Sequence, residues 1–226
     1  MSIEKDIFLK SIPNFDKLLN YGFCKKDDTY FFECLFFNNE FKAVIFILKD
    51  GHIKGQIFDC ENNEEYLPWR IENQEGSFIG EVRNEYIKIL EDIKNKCFEE
   101  KLFVSEQGNR ISEKIKNAYG HSPVFMWDKY PTFGVFKNPD NNKWYGLIMY
   151  IERAKLGEPS NELVEVMNLK ADDKTNPELI KKDGIYPAYH MNKKYWISIC
   201  LDDTLTDSEI MSLIDKSYSY TLKRKN

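Results

Sequence analysis

Hydrophobic and aromatic positions in the first hundred residues form short runs separated by turn residues. A helix is predicted from about Ser2, followed by a break at Pro13-Asn14 and a second helical segment through Leu18-Leu19 that ends before Gly22. Aromatic and β-branched runs then predict three strands, joined by hairpin-type turn residues, over 29–37, 41–49 and 52–60. The pattern therefore predicts a helical start followed by an antiparallel meander.

A long helix is predicted after the meander. Residues 61–80 are polar and predict a loop. Beyond the loop, helical spacing predicts one buried helix face that consists of Val82, Tyr86, Leu90, Ile93 and Cys97. A polar stretch from Phe103 to Asn109 marks a boundary. We therefore expect a smaller N-terminal α/β-meander domain over 1–105 and a second domain over 106–226.

The second half begins with a helix predicted over about 110–118. Strands are predicted over 132–137 and 143–152, and the latter is expected to be central because its middle contains almost no polar residue. In a third predicted strand, over 162–170, apolar and polar residues alternate, so one face of this strand is predicted to be buried. Asn176-Pro177 starts a short helix, with Asn176 as its cap, and Gly184 ends it.

The last strand is predicted to start near Lys194, and its two faces differ in character. Side chains alternate along a strand, so one predicted set is the core face Tyr195, Ile197, Ile199 and Leu201. The opposite set is Lys194, Trp196, Ser198 and Cys200. Thr206 and Glu209 then form a capping box for a final helix, whose inward positions are Ile210, Leu213, Ile214, Ser217 and Tyr218. The fold class predicted is α+β, with antiparallel sheets packed against helices.

Composition and sequence pattern limit the cellular locations that we expect for the protein. The first residues mix acids and bases, unlike a secretory signal, and no apolar run approaches the roughly 20 residues of a membrane helix. The five cysteines form no CxxC pair and are odd in number, so neither a disulfide framework nor a metal site is indicated. We expect a cytoplasmic protein without a membrane partner.

Charge divides unevenly between the two halves. Residues 1–101 carry 14 Lys and Arg against 20 Asp and Glu, whereas residues 102–226 carry 18 against 17. Strong nonspecific nucleic-acid binding normally accompanies a basic domain, because affinity comes largely from neutralised phosphates. Any contact with DNA is therefore expected to depend on a local patch.

Common catalytic signatures are absent from the sequence. There is no glycine-rich phosphate loop, no HExxH and no serine elbow, so an enzyme is disfavoured and no cofactor is indicated. His52, His121 and His190 are the candidate proton carriers at neutral pH. His190 is the best placed of these, although fixing a turn through a backbone carbonyl is the favoured role, and no catalytic or metal-binding residue is assigned.

The segment from Gly184 to Ser198 carries a family resemblance. It reads GIYPAYHMNKKYWIS, and the matching positions are Pro187 to Lys194, Trp196, Leu201-Asp202, Leu205, Asp207, Glu209 and Ser217-Tyr218. In these residues the chain resembles the MmcQ/YjbR family of bacterial proteins, as a longer form with an N-terminal extension. The resemblance implies a frataxin-like, CyaY-type C-terminal domain and a DNA-binding role. Tyr195 stands where many members have histidine, so a role that needs a second imidazole is not implied.

Three hypotheses follow for this segment. The first is DNA binding, through Tyr186, Tyr189, His190, Asn192, Lys193, Lys194 and Trp196. The second is a binding module that holds a small molecule or a protein partner on an aromatic sheet face formed by Trp127, Tyr130, Trp144 and Trp196. The third is a purely structural motif, in which Trp196 packs on the sheet and the turn is held internally. The basic tail Lys223-Arg224-Lys225 fits either phosphate binding or the dipole of the last helix.

Overall fold

The computed structural model describes residues 2–71 and 76–222. The chain divides into two compact units, residues 1–101 and 102–226. The basic tail Lys223-Arg224-Lys225 lies outside the described residues. Within the described ranges, no helix combines the length and the apolar character needed to cross a bilayer.

The first unit contains a four-stranded antiparallel sheet and a separate two-stranded pair. The sheet has the order β2-β3-β4-β5, and β1 pairs with β6. The elements are α1 (Ile3–Ile7), β1 (Ser11–Pro13), α2 (Phe15–Tyr21), β2 (Cys24–Lys26), β3 (Thr29–Phe36), β4 (Phe41–Leu48), β5 (Ile53–Asp59), α3 (Ser77–Cys97) and β6 (Phe98–Glu100). The predicted meander is confirmed as β3, β4 and β5, whereas the short strands β1, β2 and β6 were not predicted.

Local sequence signals account for the helix ends in this unit. The Ser2 and Asn14 side chains accept hydrogen bonds from the backbone N–H groups of Lys5 and Lys17, which caps α1 and α2. Gly22 ends α2 with a φ of 122°, a conformation that glycine adopts without steric cost. Both predicted helix starts are therefore confirmed.

The predicted inward face of α3 is also confirmed. Its buried residues are Val82, Tyr86, Leu90, Ile93 and Cys97. The prediction of a plain polar loop over 61–80 is wrong at two points. A short 3-10 turn at Pro68–Arg70 buries Trp69 beside Tyr86, with ring centroids 4.7 Å apart, and α3 already begins at Ser77. Burial of the large apolar surface of Trp69 therefore decides the structure here, although the neighbouring residues are polar.

The second unit is built on a six-stranded antiparallel sheet in the order β11-β12-β10-β9-β8-β7. Its elements are α4 (Glu106–Tyr119), β7 (Val124–Phe125), β8 (Gly134–Lys137), β9 (Trp144–Glu152), β10 (Leu163–Lys170), α5 (Asn176–Leu179), β11 (Ile185–Pro187), β12 (Trp196–Cys200) and α6 (Asp207–Ser219). The strand expected to be central, β9, lies between β10 and β8. The α+β class with antiparallel sheets is thus observed.

One face of the six-stranded sheet is covered by α4 and α6. Ile148, Met167, Ile197 and Ile199 point to this face and pack into a buried core with residues of the two helices. The capping box of Thr206 and Glu209 is present at the start of α6. Of the predicted inward positions, Ile210, Ile214 and Ser217 are buried, and Leu213 and Tyr218 are half-buried.

The opposite face of the sheet, called the open face here, is not covered by α4, α5 or α6 of the second unit, within residues 102–222. Its buried residues are Val135, Leu147, Met149, Ile151, Val164, Val166 and Cys200. The prediction that only one face of β10 is buried is wrong, because every residue from Val164 to Leu169 is buried. Loop residues supply the cover, among them Trp127, Phe133, Tyr189 and Met191.

Three local expectations need correction. Tyr195 is 47% exposed and does not belong to the core, because β12 begins only at Trp196. Asn176 does not cap α5 with its side chain, since the cap position is Thr175. Residues 102–105 belong to the second unit, because Phe103 is buried in its core and α4 begins at Glu106 with Ser105 as its cap.

Candidate functional site

A groove of about 600 Å³ lies on the open face of the second unit. Its floor is formed by Leu147, Met149 and Ile151, which project outward from β9. Aromatic residues of the β7–β8 loop and the start of β9 line one side, and residues 189–191 of the β11–β12 segment line the other. The lining residues are Trp127, Lys129, Tyr130, Pro131, Thr132, Phe133, Trp144, Leu147, Met149, Tyr150, Ile151, Glu152, Lys155, Leu163, Tyr189, His190 and Met191.

Two successive turns shape the aromatic side of the groove. The Tyr130 N–H donates to the Trp127 carbonyl, and the Phe133 N–H donates to the Tyr130 carbonyl, both at 3.0 Å. These turns stack Tyr130 on Phe133 at 4.9 Å between ring centroids. Trp127 meets Trp144 edge-on at 5.9 Å. Thr132 and Phe133, predicted to belong to a strand, therefore form part of the groove wall, and the strand itself begins at Gly134.

The other side of the groove is held by a closed ring of hydrogen bonds. The Tyr189 N–H donates to Ser198 Oγ at 3.0 Å, Ser198 Oγ donates to Asn168 Oδ1 at 2.5 Å, and Asn168 Nδ2 donates to the Tyr189 carbonyl at 2.7 Å. Asn168 and Ser198 are fully buried. Because each buried polar group has a partner, the ring fixes the backbone at Tyr189 without leaving an unpaired donor or acceptor. We call these three residues the clamp.

A second contact holds the far end of the same segment. Asn176 Nδ2 donates to the carbonyls of Lys193 and Lys194, at 3.3 and 2.9 Å. Asn192 Oδ1 accepts from the Lys194 N–H at 3.0 Å, which forms a local turn before β12. The segment from Tyr189 to Lys194 is thus anchored at both ends.

The structure separates the seven residues predicted for the DNA-binding site. Tyr189 and His190 line the groove, and their rings are 4.0 Å apart. His190 is exposed with a φ of 55°, and its imidazole has no hydrogen bond to any described residue. The expectation that His190 fixes the turn through a carbonyl is therefore wrong, because the clamp does this.

The remaining predicted residues lie outside the groove. Tyr186 donates its hydroxyl to Glu158, and this hydrogen bond together with burial raises its pKa. Asn192 and Lys193 are exposed. Lys194 pairs with Asp173 at 3.4 Å, and hydrogen bonds with Tyr195 and Asp173 raise its pKa.

Trp196 lies on the open face, as its predicted alternation requires, but it does not line the groove. The Lys170 ammonium is 4.6 Å from the centre of its ring, which is a cation–π contact. Burial, together with the nearby charge of Lys143, lowers the pKa of Lys170. One end of the sheet therefore holds Lys143, Lys170 and Trp196. Lys143 and Trp196 lie 53 positions apart in the sequence.

Other reactive groups lie elsewhere. His121 Nδ1 lies 2.9 Å from the Tyr145 hydroxyl, and burial lowers its pKa. Cys200 is buried on the open face, and burial with the neighbouring Asp202 raises its thiol pKa to about 12. In the described ranges, no three His, Cys, Asp or Glu side chains are grouped as metal ligands.

Several residues of this site were not selected from the sequence. Lys129, Phe133 and Met149 line the groove, and Asn168 and Ser198 hold its wall. Asn168 and Glu165 are the buried polar residues of β10, and a buried amide normally has a structural partner. The polar character of Asn168 was the available signal, and its partner is 21 residues away.

The fold and the site define an α+β protein with helices on one face of an antiparallel sheet and an aromatic groove on the other. The family model YjbR matches residues 117–220, which include every residue that lines the groove. The uncharacterised protein YyaQ of Bacillus subtilis (strain 168) is 39% identical over 111 residues, which cover 49% of this chain and 94% of YyaQ. The chain belongs to the YjbR family.

Two further similarities each cover part of the chain. The uncharacterised protein YjbR of Escherichia coli (strain K12) is 40% identical over 50 residues, which cover 20% of this chain and 42% of that protein. A crystal structure of a Pseudomonas syringae protein is similar with a TM-score of 0.50 and 39% identity, and the match covers 52% of this chain and 99% of that one.

Proposed function

We propose that the second unit is a binding module that holds a small molecule with a flat, apolar body in the groove on its open face. The observation that carries this proposal is the lining: six aromatic side chains accompany an aliphatic floor, namely Trp127, Tyr130, Phe133, Trp144, Tyr150 and Tyr189. Small-molecule sites typically have volumes of about 300–1,000 Å³ and predominantly apolar walls. The groove, at about 600 Å³, lies within that range.

Pre-organisation supports the same proposal. The clamp fixes one wall through buried hydrogen bonds, and the stacked and edge-on rings fix the other. A wall that is already ordered loses little conformational entropy when a ligand binds. Tyr130 nevertheless remains 52% exposed, so a large aromatic surface is available to a ligand.

A fragment screen by two-dimensional NMR tests this function. Flat aromatic compounds are expected to shift the indole N–H signals of Trp127 and Trp144. Tyr130→Ala should weaken that binding, whereas Tyr195→Ala should not, because Tyr195 is similarly exposed at 47% but lies outside the groove. The proposal is rejected if no compound shifts the groove signals, or if both variants bind as the wild type does. Shifts produced only by a protein partner would replace it with an adaptor function.

Nucleic-acid binding through residues 186–196 is a second candidate. Its support is the exposed Lys193 beside Asn192, together with Lys143 and Lys170, which lie near Trp196 at one end of the sheet. Lysines neutralise phosphates, and an indole ring stacks on bases. Four of the seven side chains have hydrogen-bond, ion-pair or cation–π partners within the chain: Tyr186 binds Glu158, Asn192 accepts from the Lys194 N–H, Lys194 binds Asp173 and Trp196 packs under Lys170. This is why the groove is the leading candidate.

Fluorescence anisotropy with short single- and double-stranded DNA tests the second candidate. Salt-sensitive binding that is lost in a folded Lys193→Ala/Lys194→Ala variant would place a nucleic-acid site on this segment. Absence of binding at low salt would reject it.

We also propose that the second unit has a CyaY-type architecture. The support is the position of two helices, α4 and α6, on one face of an antiparallel sheet, and superposition on a frataxin structure tests it.

A further inference from the structure

Charged groups are few in the groove, and they are not balanced. They are Lys129, Lys155 and Glu152, with His190 at the opposite wall. Glu152 Oε2 and Lys155 Nζ lie 3.7 Å apart, so these two charges are paired with each other. Lys129 has no ion pair with any carboxylate in the described part of the chain. One positive charge of the groove is therefore unneutralised.

The position of Lys129 relates this charge to the aromatic wall. It lies in the turn between Trp127 and Tyr130, which is closed by the hydrogen bond from the Tyr130 N–H to the Trp127 carbonyl. Because Lys129 lines the same groove as these rings, a ligand whose ring stacks on the wall would share the groove with the Lys129 ammonium. A charged donor next to an apolar surface favours a ligand that combines a flat ring with an acidic group.

We infer that the ligand of the groove is an aromatic compound that carries one anionic group, a carboxylate or a phosphate, with the ring on the aromatic wall and the anion paired with Lys129. This inference rests on the function proposed above and specifies the ligand class. A cationic aromatic ligand fits less well, since the groove's carboxylate, Glu152, is already paired and Lys129 would repel a second cation.

Calorimetric titration with two matched pairs of probes tests the inference on the full chain. Indole-3-acetate is compared with indole, and adenosine 5′-monophosphate with adenosine. We expect the anionic member of one pair to bind about twofold to fivefold more tightly than its neutral partner, because Lys129 is exposed and exposed ion pairs contribute little. The pair that shows the difference identifies carboxylate or phosphate as the anion.

Two lysine variants assign the effect to the groove. Lys129→Gln removes the charge but keeps a polar side chain of similar reach, so the anionic and neutral members should then bind equally. Lys116→Gln is the matched control, because Lys116 is exposed on α4, which lies on the sheet face opposite to the groove, and it should leave the difference intact.

Opposite results would overturn the inference in distinguishable ways. Equal binding of neutral and anionic members by the wild type would refute the anionic class while leaving the groove a binding site. An anion preference that survives Lys129→Gln would refute the assignment to Lys129. If no member of either pair binds, the inference is rejected, and the proposed function is judged separately by the fragment screen.

Discussion

The side-chain amide of Asn168 donates a 2.7 Å hydrogen bond to the backbone carbonyl of Tyr189. This contact joins the middle of a buried strand to the segment that forms one wall of the groove. Because Ser198 closes the ring between them, the position of Tyr189 is set by two fully buried side chains on neighbouring strands. The segment from Gly184 to Ser198 is thereby held through Asn168, a residue of β10 that lies outside the segment.

Removal of the clamp should loosen the groove wall. Asn168→Ala removes the donor to the Tyr189 carbonyl and the acceptor of the Ser198 hydroxyl, so we expect a loss of about 1–3 kcal/mol in the free energy of unfolding. Hydrogen exchange of the Tyr189 amide should also become faster. Asn192→Ala is the control, because Asn192 is exposed and accepts only a local hydrogen bond from the Lys194 N–H. Equal effects of both variants, in urea titration and exchange, would contradict the clamp.

Asn176 offers a test between two roles. If the Asn176 side chain capped α5, aspartate could replace it, because aspartate caps helices about as effectively as asparagine. As the donor to the carbonyls of Lys193 and Lys194 it cannot be replaced by aspartate, since an ionised carboxylate only accepts hydrogen bonds. We expect Asn176→Asp to destabilise the protein more than Asn176→Ala, by about 1 kcal/mol or more, in thermal or urea unfolding. A more stable aspartate variant would restore the capping role.

The first unit contains a close approach that only glycine permits. A Cβ atom at Gly55 would lie 1.6 Å from the Tyr86 hydroxyl and 3.0 Å from Glu4 Oε1, and both side chains are buried. Gly55→Ala should therefore destabilise the protein by about 1–3 kcal/mol through overpacking. Gly80→Ala is a matched control within α3, where no atom lies within 4 Å of the added carbon. It should stabilise the protein by about 0.5–1 kcal/mol, and urea denaturation measures both changes.

His121 predicts a dependence of stability on pH. Burial lowers its pKa in the folded state, so the unfolded state binds the proton at higher pH. The stabilisation from neutral His121 is therefore complete above the ordinary histidine pKa of about 6.5 and declines as the pH falls toward the lowered value. The free energy of unfolding should decrease between pH 7.5 and 5.5, and His121→Gln should reduce that decrease. His52→Gln, at an exposed position, should leave it unchanged; an identical pH profile in His121→Gln would contradict the prediction.

The sequence by itself determined the elements that depend on near neighbours. Ser2 and Asn14 cap their helices through bonds to a residue three positions away, and Thr206 with Glu209 does the same at α6. The inward stripe of α3 follows from helical periodicity alone. Such signals are readable because the residues that cause the structure lie within one or two turns of each other.

The groove was decided only by the tertiary structure. The aromatic residues Trp127, Tyr130 and Trp144 were proposed from the sequence as a binding face, and the structure brings them together while leaving Trp196 under Lys170. Lys129 and Ser198 gave no local signal of their roles, and Asn168 gave only its polar character within a buried strand. Strand order places β9 between the β7–β8 loop and the β11–β12 segment, and this order follows from burial of both sheet faces and not from any local propensity. The sequence therefore determines the pieces, and the packing of distant strands determines the site.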